Sequence, residues 1–488
     1  MKERGLFVKK EKESGFQAVK ISLFILATVM ALLVGFFFLT GEQLFYKDSD
    51  SDISLVQPDG GVIELSQGVV VDQLFTTDIE RLESITVYWG AYYRTNYGTI
   101  NIQLIRRDNF EVYMDGVFDA SQLGEGTPLT ITAQQPIENL KDVPVYIHIT
   151  ADSQPGTSAT PLYLSTGSRE GACLYLNSQP ISGLLSFDAK GTDYLFIGKH
   201  YWLIAGIICF ATAALLLAEN ILYRKGKHSY LINAISAVKK YRFLINQLVA
   251  RDFKTKYKRS ILGVFWSFLN PLLMMLVQYF VFSSLFNTDV SNFPVYLLVG
   301  TVCFNFFSEA CSMALMSILG NATLLTKVYV PKYIYPLTKI MSSVINMLIS
   351  FIPLVLVCLF TGIHFKKSAL LSLHFFVCLI IFCLGLGMLL AALMVFFRDM
   401  QFLWGVLTMV WMYATPIFYP EKIIPDEFRF VLDINPLFHF IKNVRICLID
   451  GLSPEPLAYI QCLLIAFGML LVGSLVFKKT QDKFVLYL

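Results

Sequence analysis

The sequence predicts a polytopic α-helical membrane protein of eight spans, arranged two plus six, with a β-sandwich inserted outside the membrane between the first two. Three observations lead there. The 488 residues are 55% hydrophobic and only 15% charged, and the mean hydropathy is +0.58, a balance foreign to ordinary soluble domains. The apolar residues gather in runs of roughly 20, the length of a helix that crosses the hydrocarbon layer. One long interval, 40–200, instead alternates apolar and polar residues in short stretches, the period of half-buried strands.

Taken in order, residues 1–20 form a basic cytoplasmic N-terminus carrying Lys9, Lys10, Lys12 and Lys20. The first span, 21–39, reads as an uncleaved anchor, because it is long for a signal peptide and no small-x-small cleavage pattern follows Leu39. Residues 40–200 are then extracytoplasmic. The second span, 201–221, is followed by Arg224, Lys225 and Lys227, and residues 222–261 form a cytoplasmic linker with an amphipathic helix. A six-helix module fills 262–488, with spans near 262–286, 295–319, 340–361, 370–396, 402–418 and 457–477. Lys254, Lys256, Lys258 and Arg259 precede the third span, and Lys478 and Lys479 follow the last. Lys and Arg collect on the cytoplasmic side, so both termini are expected there. Residues 416–449, interrupted by Pro420, Pro425 and Pro436, are too polar to span and are expected to dip back as short re-entrant helices, which need protein or water around their backbone.

Within 40–200, the stretches 84–89, 99–105 and 145–149 alternate in polarity. About 160 residues suffice for one β-sandwich with its own core. The order of features, Gln73–Thr76, Gly98–Leu104 and Tyr146–Thr150, resembles jelly-roll modules of bacterial cell-envelope proteins. Tyr88, Trp89, Tyr92 and Tyr93 form either an aromatic platform for sugar rings or core and cross-strand packing. The domain either holds an emerging ligand or serves as a structural cap.

Between 239 and 259, Tyr241, Leu244, Ile245, Leu248, Val249, Phe253 and Tyr257 recur at helical spacing as one apolar stripe. Lys240, Arg242, Arg251, Lys254 and Lys258 occupy much of the rest, so the helix is expected in the cytoplasmic headgroup plane. It is either a membrane anchor or a docking shoulder for a cytoplasmic partner.

Composition also excludes. A net charge of +3 gives no argument for nucleic acid. The nine cysteines show no disulfide framework or CxxC pair, and the six histidines are scattered, so no metal site or resident cofactor is expected. No convergent carboxylates or His/Asp pair marks a catalytic centre. A glycan-modifying membrane enzyme, which would need such a set, is one alternative reading, and an envelope sensor or scaffold, for which only 11 residues follow Phe477, is another.

The six-helix module carries a more specific signal. Arg251, Asp252, Phe253 and Lys254, then Tyr257, Lys258, Ser260, Leu262, Gly263 and Trp266, then Asn270, Pro271 and Leu272 resemble the opening signature of polysaccharide export permeases, the membrane subunits of type-2 ABC exporters. Asn321–Pro331, Phe397–Asp399, Thr415–Pro420, Asn435–Leu437 and Phe484–Leu488 match the same family in order, and the likeness covers about 240–488. It implies two permease copies around a channel, with two ATPase subunits that hold ATP and Mg. The cargo would be an undecaprenyl-linked glycan or a teichoic acid crossing the cytoplasmic membrane of a bacterium. The chain has no G-x-x-x-x-G-K-[ST] loop to cradle ATP phosphates, so hydrolysis belongs to a partner.

The resemblance places the ATPase interface at Arg251, Asp252, Lys254, Tyr257 and Lys258, and at Leu324, Lys327, Val328, Tyr329, Pro331 and Lys332 of the coupling loop. Where relatives commonly have Pro-Arg-Glu, this chain has Pro331, Lys332 and Tyr333. A glycan path needs aromatic or polar lining, for which Trp266, Tyr279, Phe304, Phe306, Trp404, Trp411 and Tyr413 are candidates beside the alternative of helix packing. Pro416, Tyr419, Asn435 and Pro436 belong to the expected outer gate. Glu309 lies well inside an apolar run, where a charge costs about 3 kcal/mol or more unless it meets a cavity or partner. It either lines the pathway or dimer interface or sits in a tilted span without a transport role.

Overall fold

The computed structural model describes residues 2–51, 63–91, 94–164, 171–224, 236, 238–258, 263–286, 292–327 and 330–487. They form two compact units, one from Met1–Gln43 with Tyr201–Leu488 and one from Leu44–His200.

In the helical unit, α1 (Lys2–Thr40) and α2 (Tyr201–Arg224) precede α3 (Arg242–Tyr257), the amphipathic helix. Then come α4 (Phe265–Phe286), α5 (Phe293–Leu315), α6 (Ile334–Phe360), α7 (Ser372–Phe396), α8 (Met400–Ala414), α9 (Pro436–Arg445) and α10 (Pro456–Thr480). Among the described residues, seven helices are long and apolar enough to cross a membrane, and α8 is a shorter apolar helix. At 15 residues it measures about 22 Å, less than the roughly 30 Å of the hydrocarbon layer. The expected span 402–418 is thus cut short at Ala414, and Thr415 continues in extended backbone ahead of Pro416.

The geometry around α8 explains its role. His374 near the start of α7 lies 3.2 Å from the Tyr459 carbonyl near the start of α10. Eleven residues further along α7, Gly385 packs against the Met469–Leu470 backbone and Gly473. The two helices therefore run parallel, backbone on backbone, as small residues permit between helices in lipid. The chain leaves α7 at one end of the bundle and begins α10 at the other. α8 and the segment after it make that return.

The apolar stripe of α3 does not lie free. Ile245 and Val249 are buried with Val330 and Ile334, and Leu248 is buried with Ile318, Tyr335, Ala391 and Phe477. The helix is seated in a groove of protein: an apolar stripe needs an apolar partner, and here the partner is the bundle. Arg259, Ser260 and Leu262 lie outside the described residues.

The other unit is built from antiparallel strands. β1 (Tyr46–Ser51), β3 (Arg81–Gly90), β6 (Thr127–Glu138) and β10 (Phe187–Tyr194) form one sheet in the order β1-β10-β3-β6. β2 (Val70–Phe75), β4 (Thr99–Arg106), β5 (Val112–Asp119), β7 (Val145–Ala151), β8 (Cys173–Leu176) and β9 (Gln179–Ile181) form the second, in the order β9-β8-β2-β7-β4-β5. One core lies between them, with Ile85, Val87, Trp89 and Phe187 from the first sheet and Val71, Ile102, Leu104 and Ile147 from the second. This is the sandwich that the alternating pattern predicts.

Its register removes Trp89 from the aromatic platform. Ile85, Val87 and Trp89 alternate inward and are all 0% exposed, because side chains two apart share a face. Trp89 is core and no sugar ring can stack on it, while Tyr88 faces the other way and is half-buried. Tyr92 and Tyr93 lie outside the described residues.

Candidate coupling and gate sites

Two polar clusters interrupt the apolar bundle, one at each end. The first joins α3 to the membrane helices. Asp252, with only 8% of its side chain exposed, pairs with Lys339 of α6 at 2.8 Å and with its neighbour Arg251 at 3.1 Å. Arg251 also donates to Asn321 Oδ1 at 3.2 Å, and Asn321 in turn donates to the Ser317 carbonyl at 2.8 Å. One turn further along α3, Lys256 Nζ donates to Glu309 Oε1 of α5 at 2.8 Å, and Asn346 Nδ2 of α6 donates to the same oxygen at 2.6 Å. Tyr257 donates to Asn346 Oδ1 at 3.1 Å and shares a hydrogen bond with Ser267 of α4.

A cleft of about 480 Å³ lies among Asp252, Phe253, Lys256, Glu309, Ser342 and Asn346. Glu309 thus faces a cavity, as the cost of a lone membrane carboxylate demands. Its partners come from α3 and α6, so its contacts are with the amphipathic helix and with no gate residue. Through these pairs α3 is tied to α4, α5 and α6 at once.

The remaining interface candidates differ in availability. Lys254 and Lys258 are exposed, and Pro331 and Leu324 are half-buried. Lys332 is engaged: its Nζ donates to the Gln481 carbonyl at 2.5 Å and lies over the Phe484 ring, which ties the coupling loop to the C-terminal turn. The Lys327 side chain, Val328 and Tyr329 are outside the described residues.

The second cluster organises the other end. Arg445, at the end of α9, is buried and donates to the carbonyls of Pro416 at 2.7 Å, Tyr296 at 3.0 Å and Ile417 at 3.1 Å. Its guanidinium lies 3.4 Å from the Tyr296 ring centre, and the Tyr296 hydroxyl donates to the carbonyls of Tyr419 and Pro416. Gly300 leaves room for this, since a Cβ there would come within 2.7 Å of Arg445 Nη2. A buried cation here is met by carbonyl dipoles and an aromatic face.

Asn435 caps α9 by accepting from the Leu437 N–H at 3.1 Å, with Pro436 in the favoured first position. Asn435 also accepts from Trp411 Nε1 at 2.8 Å and donates to Thr415 Oγ1 at 2.8 Å. The backbone between α8 and α9 is therefore held at Pro416, Ile417 and Tyr419 by one set of donors and at Thr415 by another. Tyr419 itself donates to the Tyr413 carbonyl at 2.6 Å. The 416–449 segment folds as short helical turns, with Leu437, Phe440, Ile441 and Val444 of α9 buried, which gives its backbone the protein cover that such a segment needs.

Of the lining candidates, Phe304, Phe306 and Trp404 are buried among packed helices, which assigns them to the core. Trp404 Nε1 donates to Ser312 at 3.1 Å. Tyr279 and Trp411 are partly buried against the same core. Trp266 and Tyr413 are exposed, at 44% and 61%. Sequence reasoning missed Arg445, Tyr296, Lys339 and Asn346. Arg445, a cation just ahead of the apolar run 446–449, was the one signal available.

The fold and these clusters define a multi-pass membrane protein whose amphipathic helix is clamped to its bundle. Residues 244–449 match the family described as ABC-2 type transporter. The chain is 30% identical over 249 residues to the O-antigen export system permease protein RfbA of Klebsiella pneumoniae, covering 49% of this chain and 93% of that one. It is 28% identical over 260 residues to the RfbA protein of Myxococcus xanthus, covering 52% and 98%. To the polysialic acid transport protein KpsM of Escherichia coli it is 22% identical over 241 residues, covering 49% and 93%. The chain belongs to the ABC-2 type transporter family, and is a transport permease, not an enzyme.

Proposed function

We propose that this chain is the membrane-spanning permease of an ABC exporter that carries a lipid-linked cell-surface polysaccharide out across the bacterial cytoplasmic membrane. The relatives named for O-antigen and polysialic acid transport favour polysaccharide over teichoic acid. In this reading α8 crosses as well, which with the seven long helices makes eight crossings, and both termini are cytoplasmic, with the jelly-roll-like domain outside. Two copies surround the path, and two separate ATPase subunits bind ATP and Mg and dock on α3 and the 322–332 loop. The 416–449 segment is the outer gate.

The observation that carries the reading is the attachment of α3 to α5 and α6 through Lys256–Glu309 and Asp252–Lys339. An ATPase that moved α3 would move the helices that lead toward the gate. Arg445 and Asn435 give the gate a defined closed arrangement. With Trp89 buried, any contact of the outer domain with glycan falls to another face of the sandwich. Reconstitution with a polysaccharide-exporter ATPase from the same organism tests the proposal: lipid-linked glycan should raise the ATPase rate, and Glu309→Gln should blunt that rise while leaving the complex assembled. Failure to bind an ATPase would refute it.

A further inference from the structure

A second crevice, of about 570 Å³, opens on the flank of the bundle. Its walls are apolar: Phe351, Leu354 and Cys358 of α6, Phe376 of α7 and Leu39 from the end of α1. At its rim, in the turn between α6 and α7, stand Lys366 and Lys367, both exposed. The match to the O-antigen relatives spans about half of this chain. α1, at the far N-terminal end, supplies a wall of its own.

The wall is fixed in place. Phe36 packs edge-on against Tyr459 with ring centres 4.8 Å apart, and Gln43 Oε1 accepts from the Ser453 N–H at 2.6 Å. Lys366 is also guided. Its stem crosses Gly451, whose φ is 66° and where a Cβ would come within 2.8 Å of Lys366 Cδ. No carboxylate pairs with either lysine among the described residues.

The turn lies at the end of the bundle opposite α3, since α6 runs away from its start beside α3 and α7 returns. Lys is disfavoured at that end in the orientation proposed above. Two adjacent, unpaired lysines over an apolar slot are complementary to a molecule with a phosphate at one end and acyl chains at the other. The geometry points to a site for an anionic phospholipid of the outer leaflet, its phosphate on Lys366 and Lys367 and a chain in the crevice closed by Leu39. The site rests on the outward orientation of this turn, and on no assumption about cargo.

Native mass spectrometry of the purified full-length chain, loaded with dioleoylphosphatidylglycerol or dioleoylphosphatidylcholine, tests it. Each lysine near an anionic headgroup strengthens binding about five-fold, so the pair should favour the anionic lipid by about thirty-fold. Lys366→Gln with Lys367→Gln should erase that preference, and Leu39→Trp, which fills the slot, should weaken retention of both lipids. Equal retention of the two lipids, or an unchanged preference in the double variant, would overturn the site; the lysine variant is decisive even if Leu39→Trp misfolds. Orientation is read separately with Lys367→Cys in a Cys173→Ser background, which should react with an impermeant maleimide in intact cells. Reaction only after permeabilisation would overturn the orientation. Export and ATPase coupling play no part in either result, so failure of the permease reading would show elsewhere.

Discussion

Lys256 on the amphipathic helix and Glu309 in the last third of the membrane helix α5 (Phe293–Leu315) meet at 2.8 Å. A carboxylate inside the bundle is thereby neutralised by the helix on which a cytoplasmic partner would push. With 43% and 28% of the two side chains exposed, the pair itself is worth only about 0.5–1 kcal/mol, so its importance is mechanical before it is energetic. Lys256→Met and Glu309→Gln should each lower glycan-stimulated ATPase activity several-fold with small losses of stability, and the double variant should lose less than the sum. Additive losses in a double-mutant cycle would show that the pair does not act as a unit.

At the other end, Arg445 is the strut of the segment that follows α8. Arg445→Met removes the donor to three carbonyls, of which Pro416 keeps the Tyr296 hydroxyl; with two left at on the order of 1 kcal/mol each, about 2 kcal/mol should be lost. Thermal unfolding in detergent checks this, and Tyr296→Phe should cost less because Arg445 still holds Pro416. An Arg445→Met protein as stable as the parent would mean that the carbonyls are satisfied another way.

The parallel packing of α7 on α10 depends on Gly385 and Gly473 meeting without side chains. Gly473→Leu should force the helices apart, since a Cβ there collides with the Gly385 backbone and not with a flexible side chain. Overpacking costs typically 1–3 kcal/mol, and expression with monodisperse gel filtration should fall accordingly. The exposed neighbour Leu475 supplies the control: Leu475→Phe should be neutral.

In the β-unit, Trp89→Ala should cost about 3–5 kcal/mol through a large cavity, seen as loss of that unit's thermal transition, while Tyr88→Ala should cost much less. Deleting 45–196 should impair delivery or selectivity for glycan more than ATPase coupling, as read by surface glycan and ATPase rate in parallel.

The spans and the sandwich were legible because each follows from a local period: long apolar runs for the helices, alternation for the strands. The adjacency of Tyr88 and Trp89 already argues against a shared platform, since consecutive strand residues face opposite ways. The stripe on α3 was legible as a stripe, but period alone does not tell a lipid surface from a protein groove, and Ile334, Ile318 and Phe477 come from distant parts of the chain. The same holds for Lys256 with Glu309, Asp252 with Lys339, and Arg445 with Tyr296, separated by 53, 87 and 149 residues. Such pairs exist only once the helices are packed. Glu309 was conspicuous from its sequence context, yet its partner was not.

The most direct measurement is the ATPase rate of the complex formed by this chain with a polysaccharide-exporter ATPase from the same organism in nanodiscs, with and without lipid-linked glycan, for the parent and for Glu309→Gln. The account predicts a stable complex stimulated by glycan, and a variant complex that assembles but responds weakly. A complex that fails to form, or one whose glycan response is the same in Glu309→Gln, would contradict it.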